Sequence, residues 1–243
     1  MKITAVNGSP RGKNSNTHIM VEEFLKGAKS AGAETSHIHL AGKNIKHCMG
    51  CFSCWIKTPG ACVIKDDMQN IMPLLKDMDI FVIATPLYFF HVTGLMKNFI
   101  DRLLPMGDPH FEKDKDGVCK HLKTGEKAPK LVIISNCGFP EQIHFEPMKQ
   151  WARIVAKNMD SELIAEIYRG EGELLKADNL MLNLMVTGKY KKLLQMCGKE
   201  VIKDGYLSDK TKEELEKPLV PYDMYIKEGN KQWDKMLEKI KNK

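Results

Sequence analysis

Residues 2–17, KITAVNGSPRGKNSNT, constrain this chain more than any other stretch. A short apolar strand built on Ile3, Ala5 and Val6 runs into a loop that ends on Ser15, Asn16 and Thr17, three good helix N-caps. Gly8, at the start of the loop, permits backbone angles closed to other residues. A helix N-terminus presents unpaired amide hydrogens and the positive end of its dipole. The hydroxyls of Ser9, Ser15 and Thr17, with the Arg11 cation, would therefore complete a cradle for a phosphate. The spacing is neither GxxxxGK[ST] nor the dinucleotide GxGxxG, which turns the expectation away from a triphosphate. An ordinary strand-to-helix turn with a polar cap would read the same in these residues alone, so the rest of the chain has to separate the two.

Downstream, strands and helices alternate. Met20, Val21, Phe24, Leu25 and Ala28 form one apolar stripe on a helix expected over 16–31, ended by Gly32. Residues 34–40 read as a second strand, and a helix between the two strands implies a right-handed parallel crossover. Residues 41–65 have neither period and form a long, cysteine-bearing loop. Asp66 and Asp67 look like caps for a helix over 68–78, in which Pro73 predicts a break near Met72. Residues 80–84 are wholly apolar, as in a central parallel strand. Thr93 and Gly94 open a helix closed by Pro105. Residues 106–129 are a polar excursion, 131–135 a fourth strand, Pro147 starts a helix, and 163–168 is a fifth strand. From residue 170 helix formers dominate, with helices expected over 174–186, 189–203, 209–216 and 222–241. Met181, Leu184, Met185, Leu193, Leu194 and Met196 give this tail apolar faces suited to packing on the core or on a second subunit. The expected division is an α/β domain over 1–169 and a helical extension over 170–243.

In an open parallel sheet, ligands lie outside the carboxyl ends of the strands, where strand order reverses. Three carboxyl ends carry unusual sequence: the anion loop after strand one, Thr85-Pro86-Leu87-Tyr88-Phe89-Phe90 after strand three, and Asn136-Cys137-Gly138-Phe139-Pro140-Glu141 after strand four. A phosphate cradle beside two aromatic turns suits a ligand with a phosphate tail and a flat heteroaromatic head. Taken singly, Tyr88 and Phe89 could close a sheet edge, and Cys137 could be a small buried hydrophobe. A phosphoacceptor receiver would need an acidic residue where Asn7 stands, and a low-molecular-weight phosphatase would need a Cys-x5-Arg loop after strand one.

GSPRGKNSNT, ATPLYFFHVTGLMKNFIDR and SNCGFPE together resemble the NADPH-dependent FMN reductase group of the flavodoxin-like superfamily, over about residues 1–168. The resemblance implies a flavodoxin-like, doubly wound, five-stranded parallel sheet and an FMN site. It places Ser9, Arg11, Ser15, Asn16 and Thr17 around the phosphate, and Pro86, Leu87, Tyr88 and Phe89 along one side of the isoalloxazine. Asn136, Gly138 and Phe139 fall near its other edge. It also implies NAD(P)H as electron donor, a small acceptor (quinone, flavin, nitro or azo compound) and a homo-oligomer. The cofactor carries the chemistry, so no catalytic residue is nominated.

Four of the seven cysteines, Cys48, Cys51, Cys54 and Cys62, share one short stretch. This compact spacing is one that iron-sulfur clusters use, with the fourth ligand displaced. Within the family it is similar to the iron-sulfur flavoprotein branch, from whose pattern Trp55 departs. Three readings stand: a [4Fe-4S] cluster, which would make ferredoxin a partner, four free thiols, or zinc.

The net charge of +6, from 37 basic and 31 acidic residues, is mild, and aromatics are not interleaved with Lys/Arg, so nucleic acid is not an expected partner. No apolar run reaches the roughly 18 to 20 residues of a membrane span. The N-terminus goes directly into a strand, with no signal peptide visible, and a cytoplasmic protein with reduced thiols is expected.

Overall fold

The computed structural model describes residues 1–122, 128–176 and 186–241. Five parallel strands form one sheet: β1 (Lys2–Asn7), β2 (Glu34–His39), β3 (Ile80–Pro86), β6 (Lys130–Asn136) and β7 (Leu163–Arg169), in the order β2-β1-β3-β6-β7. This is the flavodoxin-like doubly wound order, and the direction of winding reverses between β1 and β3. Register places Asn7 beside Ala84, and Pro86 beside Asn136, so the three carboxyl ends finish together.

Alternation along the strands divides the core into two layers. Ile3, Ala5, Ile80, Val82, Ala84, Val132 and Ile134 face one layer, while Val6, Phe81, Ile83, Leu131 and Ile133 face the other. Helix α1 (Asn16–Ser30) covers the first layer with Met20, Val21, Phe24, Leu25 and Ala28, the stripe expected from sequence. The second layer is closed by α4 (Gly94–Asp101), by α5 (Glu146–Asn158) and by a broken segment. That segment, expected as one helix over 68–78, is a short α3 (Met68–Ile71) followed by a 3-10 turn, Met72–Leu75. Pro73 has no amide hydrogen to continue the α ladder. The expected excursion over 106–129 includes a small antiparallel hairpin, β4 (Phe111–Lys113) and β5 (Cys119–His121). The 41–65 loop contains one short helix, α2 (Ser53–Ile56).

Three tail helices are described: α6 (Gly188–Lys203), α7 (Asp209–Glu216) and α8 (Tyr222–Lys241). The helix expected over 174–186, with Met181, Leu184 and Met185, lies largely outside the described residues; 172–176 is a 3-10 turn. The next two helices pack on the core. Tyr190, Leu194, Cys197 and Val201 of α6 and Leu215 of α7 belong to the same buried layer as α1. Composition changes at residue 170, but the hydrophobic layer continues across it.

Arg169, 1% exposed, locks this packing. Its guanidinium donates to the carbonyls of Leu215 (2.6 Å) and Lys217 (2.9 Å) and lies over the Tyr190 ring at 4.7 Å. Glu171, equally buried, accepts the amides of Leu219 (2.6 Å) and Val220 (3.3 Å). No helix among the described residues is long and apolar enough to cross a membrane.

Helices α1 and α6 approach so closely that each needs a glycine at the crossing. A Cβ on Gly27 would lie 1.9 Å from the Gln195 carbonyl oxygen, and one on Gly198 would lie 2.0 Å from that of Phe24. Gly→Ala inside a helix ordinarily stabilises by about 1 kcal/mol. Here the Cβ would meet backbone, which cannot turn aside, so the sign reverses. Gly27→Ala and Gly198→Ala should each destabilise by about 1–3 kcal/mol in urea unfolding. An unchanged or raised midpoint would refute the close crossing.

Candidate functional site

Asn7, the last residue of β1, turns its side chain onto the loop and accepts the Ser9 amide at 2.9 Å. Gly8 contributes differently from the expectation. It does not adopt a left-handed conformation; a Cβ there would lie 2.6 Å from the Met96 Cβ of α4. Gly12, at φ 52°, supplies the positive backbone angle. Ser15 is the N-cap of α1: its Oγ accepts the His18 amide at 2.9 Å and donates to the Gly12 carbonyl at 2.7 Å. Its hydroxyl is thus engaged in shaping the loop. Thr17 Oγ1 accepts from Asn136 Nδ2 at 2.8 Å, which joins the first turn of α1 to the end of β6 and leaves the threonine proton free to donate.

Ten of the twelve residues expected around the ligand, Ser9, Arg11, Ser15, Asn16, Thr17, Pro86, Leu87, Tyr88, Asn136 and Gly138, line one cavity of about 80 Å³. Phe89 and Phe139 lie outside it. Phe89 is 97% exposed at the tip of a two-residue turn, closed by paired backbone hydrogen bonds between Tyr88 and His91. Phe89 and Phe90 have φ of 48° and 63°. Bulky side chains rarely take such angles, and strain of this kind concentrates at binding sites. Phe90 lies parallel to Phe139 at 6.5 Å between ring centroids, and Phe139 stacks on His144 at 4.3 Å, giving an aromatic shelf beside the cavity.

Sequence reasoning missed Glu173, Lys176 and Tyr225. Glu173 lines the cavity and pairs with Arg11 at 3.3 Å, and Lys176 bonds the Asn14 carbonyl. Tyr225 of α8 donates to the Gly138 carbonyl at 2.7 Å. All three come from the tail, and no local spacing links them to the loops they meet. Thr93 was read only as a helix opener. Its hydroxyl donates to the Gly8 carbonyl at 2.7 Å and accepts the Met96 amide, so one residue caps α4 and holds the anion loop. Cys137 is buried, which pushes its thiol up to about 11 and disfavours the nucleophilic thiolate.

The cysteine loop is an excursion with clamped ends. Asp66 accepts from Arg102 at 2.6 and 3.1 Å and from the Lys46 amide at 2.9 Å, while Arg102 also donates to the Lys46 carbonyl at 2.8 Å. The Arg102 and Asp66 side chains are 1% and 0% exposed. The four cysteines are free. Cys48 and Cys51 are exposed, Cys62 half-buried, and Cys54 buried. Burial, and behind it the neighbouring Cys62, Cys48 and Cys51, raises the Cys54 thiol. Hydrogen bonds from Ser53 lower Cys51.

A model of the NADPH-dependent FMN reductase family matches residues 1–116. An iron-sulfur flavoprotein of Archaeoglobus fulgidus is 35% identical over 143 residues, 59% of this chain and 59% of that protein. An iron-sulfur flavoprotein of Methanosarcina thermophila is 31% identical over 118 residues, 48% of this chain and 60% of its own. A putative NAD(P)H-dependent FMN-containing oxidoreductase of Bacillus subtilis is 29% identical, covering 46% of this chain and 57% of that one. The chain spans about half the length of the curated relatives it matches. Among solved structures, an FMN-dependent NADH-azoreductase from Bacillus anthracis in complex with FMN superposes with a TM-score of 0.57 at 14% identity, over 83% of this chain and 99% of the other. An NAD(P)H:quinone oxidoreductase from Methanothermobacter marburgensis gives 0.58 at 11%, over 83% and 96%. At such identities the likeness is one of fold.

Two outcomes follow from this geometry. Arg102→Met would strand the Asp66 carboxylate in the interior, at a cost of about 3–5 kcal/mol, and should speed alkylation of Cys54 as the loop loosens. Burial alone would raise Asp66, but the hydrogen bonds from Arg102 and the two amides outweigh it and hold the carboxyl below its ordinary value. The pair's stabilisation is therefore full above about pH 4 and lost as pH falls through the depressed value. Acid unfolding curves of wild type and Arg102→Met that stay parallel below pH 4 would contradict this. Separately, Phe89→Gly should relieve the turn and raise stability by roughly 0.5–1 kcal/mol in thermal unfolding; a loss would show that the aromatic turn is unstrained.

Proposed function

We propose, from the match of residues 1–116 to a model of the NADPH-dependent FMN reductase family, that the protein is an FMN-dependent NAD(P)H oxidoreductase. It would pass electrons from a nicotinamide to a small acceptor of the quinone, flavin, nitro or azo class. The observation that carries this reading is the convergence of ten expected residues from three strand ends on one cavity beside an aromatic shelf.

The residues fit the cofactor. The cavity has the size of a phosphate group and its ester link, and it sits at the N-terminus of α1, whose first amides have no partners within the helix. Asn16 brings an amide oxygen that is buried without a partner among the described residues, an unmet polar group that a hydroxylated or phosphorylated chain satisfies. Nothing stands within 4 Å of a Cβ built on Gly138, so the second turn leaves room beside the shelf. Arg11, Ser9, Asn16 and Thr17 would hold the phosphate, with Ser15 fixing the loop. Pro86, Leu87, Tyr88 and Phe89 would flank one side of the ring system, and Asn136, Gly138 and Phe139 its other edge. Bound FMN supplies the hydride acceptor and electron donor. The chain positions it and surrounds it with fixed dipoles.

A second reading makes the protein an electron-transfer iron-sulfur flavoprotein served by ferredoxin. The four free cysteines on one clamped loop favour it, as does the similarity to iron-sulfur flavoproteins of Archaeoglobus fulgidus and Methanosarcina thermophila. Thiols of this number and placement suit a cluster, held by Cys48, Cys51, Cys54 and Cys62. Either activity belongs in the cytoplasm, where nicotinamides and reduced thiols coexist. A homo-oligomer is also part of the proposal: α8 has no buried residue and exposes Ile226, Trp233, Leu237 and Ile240 at helical spacing.

Titration of apo-protein with FMN, followed by flavin fluorescence, tests the site. Arg11→Ala should weaken binding at least tenfold, about 1.4 kcal/mol. Glu173→Gln should tighten it several-fold by removing the carboxylate that engages Arg11. Unchanged affinity in both variants, or a colourless protein that takes up no FMN, overturns the assignment. Bleaching of the flavin by NADPH supports the first reading. Bleaching only by reduced ferredoxin, with iron and sulfide in anaerobically purified protein, supports the second.

A further inference from the structure

A second group of donor atoms lies outside the cavity, on the edge of the sheet. His37 and His39 alternate along β2 and so place both rings on the face that α1 covers, where His18, in the first turn of α1, meets them. Ring centroids are 4.2 Å apart for His37 and His39, 5.1 Å for His18 and His39, and 5.3 Å for His18 and His37. One ring nitrogen from each falls within 4.8 Å of the other two.

Hydrogen bonding leaves these rings incomplete. His18 Nδ1, His37 Nε2 and His39 Nδ1 are buried with no hydrogen-bond partner among the described residues. Buried ring nitrogens gathered in this way call for something between them. The remaining nitrogen of His37, Nδ1, is 2.7 Å from the Glu22 carboxylate, which also stands 3.9 Å from His18 Nδ1. A carboxylate on one imidazole nitrogen fixes the proton there and turns the lone pair of the other outward, as in the outer shells of metal-bound histidines.

We infer that His18, His37 and His39 form a binding site for a divalent first-row transition metal ion such as zinc, with Glu22 orienting His37 and a fourth position left for water. Imidazole suits zinc, copper, iron and nickel, and a three-histidine set with an open position is an established zinc arrangement. Tetrahedral bonds of 2.0–2.1 Å need the nitrogens about 3.3 Å apart, so the trio would draw together on binding the ion. The ion would staple the edge strand β2 to the helix turn that carries Thr17. This inference uses none of the cavity residues other than through that neighbouring turn, and it stands whether or not the protein binds flavin.

Zinc also binds thiolates, so the test must separate the two donor types. Zinc is titrated into the full-length protein before and after alkylation of its accessible cysteines, and X-ray absorption is read on both. The expected result is one zinc retained after alkylation, with a shell of imidazole nitrogens at about 2.0–2.1 Å and no sulfur at about 2.3 Å. His39→Ala should lower that site's affinity at least tenfold, and Glu22→Gln by 10–100-fold. No nitrogen-bound zinc in the wild-type protein overturns the site. So does equal affinity in folded His39→Ala. Should the histidine variants not fold, the wild-type spectrum alone decides.

Discussion

The site depends on a set of buried hydrogen bonds that join three chain segments far apart in sequence. Gly8 donates its amide to the Ala84 carbonyl, Thr93 donates to the Gly8 carbonyl, Leu87 donates to the Asn136 carbonyl, and the Asn136 amide reaches Thr17 across 119 residues. These groups lie at or just past the carboxyl ends of β1, β3 and β6, where the regular ladder runs out. Leaving any of them unmet would cost about 1–3 kcal/mol. The loops consequently cannot shift independently, and a ligand reaching one strand end meets the other two already in place.

The same economy of position explains the tail. A sheet wound on both sides needs cover for each face. On the α1 side, cover for the outer strands comes from α6 and α7, held by Arg169 and Glu171 at the end of β7. A buried guanidinium bonded only to carbonyls and an aromatic face is a demanding arrangement, and it fixes the chain that follows α7 within hydrogen-bond tolerance. That chain leads into α8, whose Tyr225 then meets Gly138. Tail packing and site geometry are linked through two residues at the edge of the sheet.

Much of this was legible locally. The apolar stripe of α1, the wholly buried β3, the cap at Ser15 and the break at Pro73 each follow from a few adjacent residues. The three strand ends could be assembled because parallel strands in one register must finish together. What stayed hidden is long-range. Asp66 reads as a helix cap; it does accept the Met68 amide at 3.0 Å, although the N-cap itself is Asp67, and nothing nearby in sequence announces Arg102. Glu173 and Lys176 sit in a stretch of plain helix composition. His18, His37 and His39 are scattered polar residues until a helix is laid on a strand. The two positive φ angles at Phe89 and Phe90 contradict local propensity outright, and only tertiary structure could impose them.

The Arg11–Glu173 pair bears on how such a cradle can be both stable and receptive. Both side chains are more than half exposed, at 56% and 61%, so the pair contributes no more than about 1 kcal/mol. A charged ester entering the cavity meets the helix amides as well as Arg11, and hydrogen bonds to a charged acceptor contribute about 1.5–3 kcal/mol each. In the proposed role of this loop, exchange of the carboxylate for an incoming anion would therefore be favourable, while the weak internal pair would keep the guanidinium near the loop beforehand. Had Glu173 been buried like Asp66, the same contact would have competed with the ligand on equal terms. Two arginine–carboxylate pairs in one chain would thus serve opposite ends, with solvent exposure separating the buried clamp from the partner proposed to exchange.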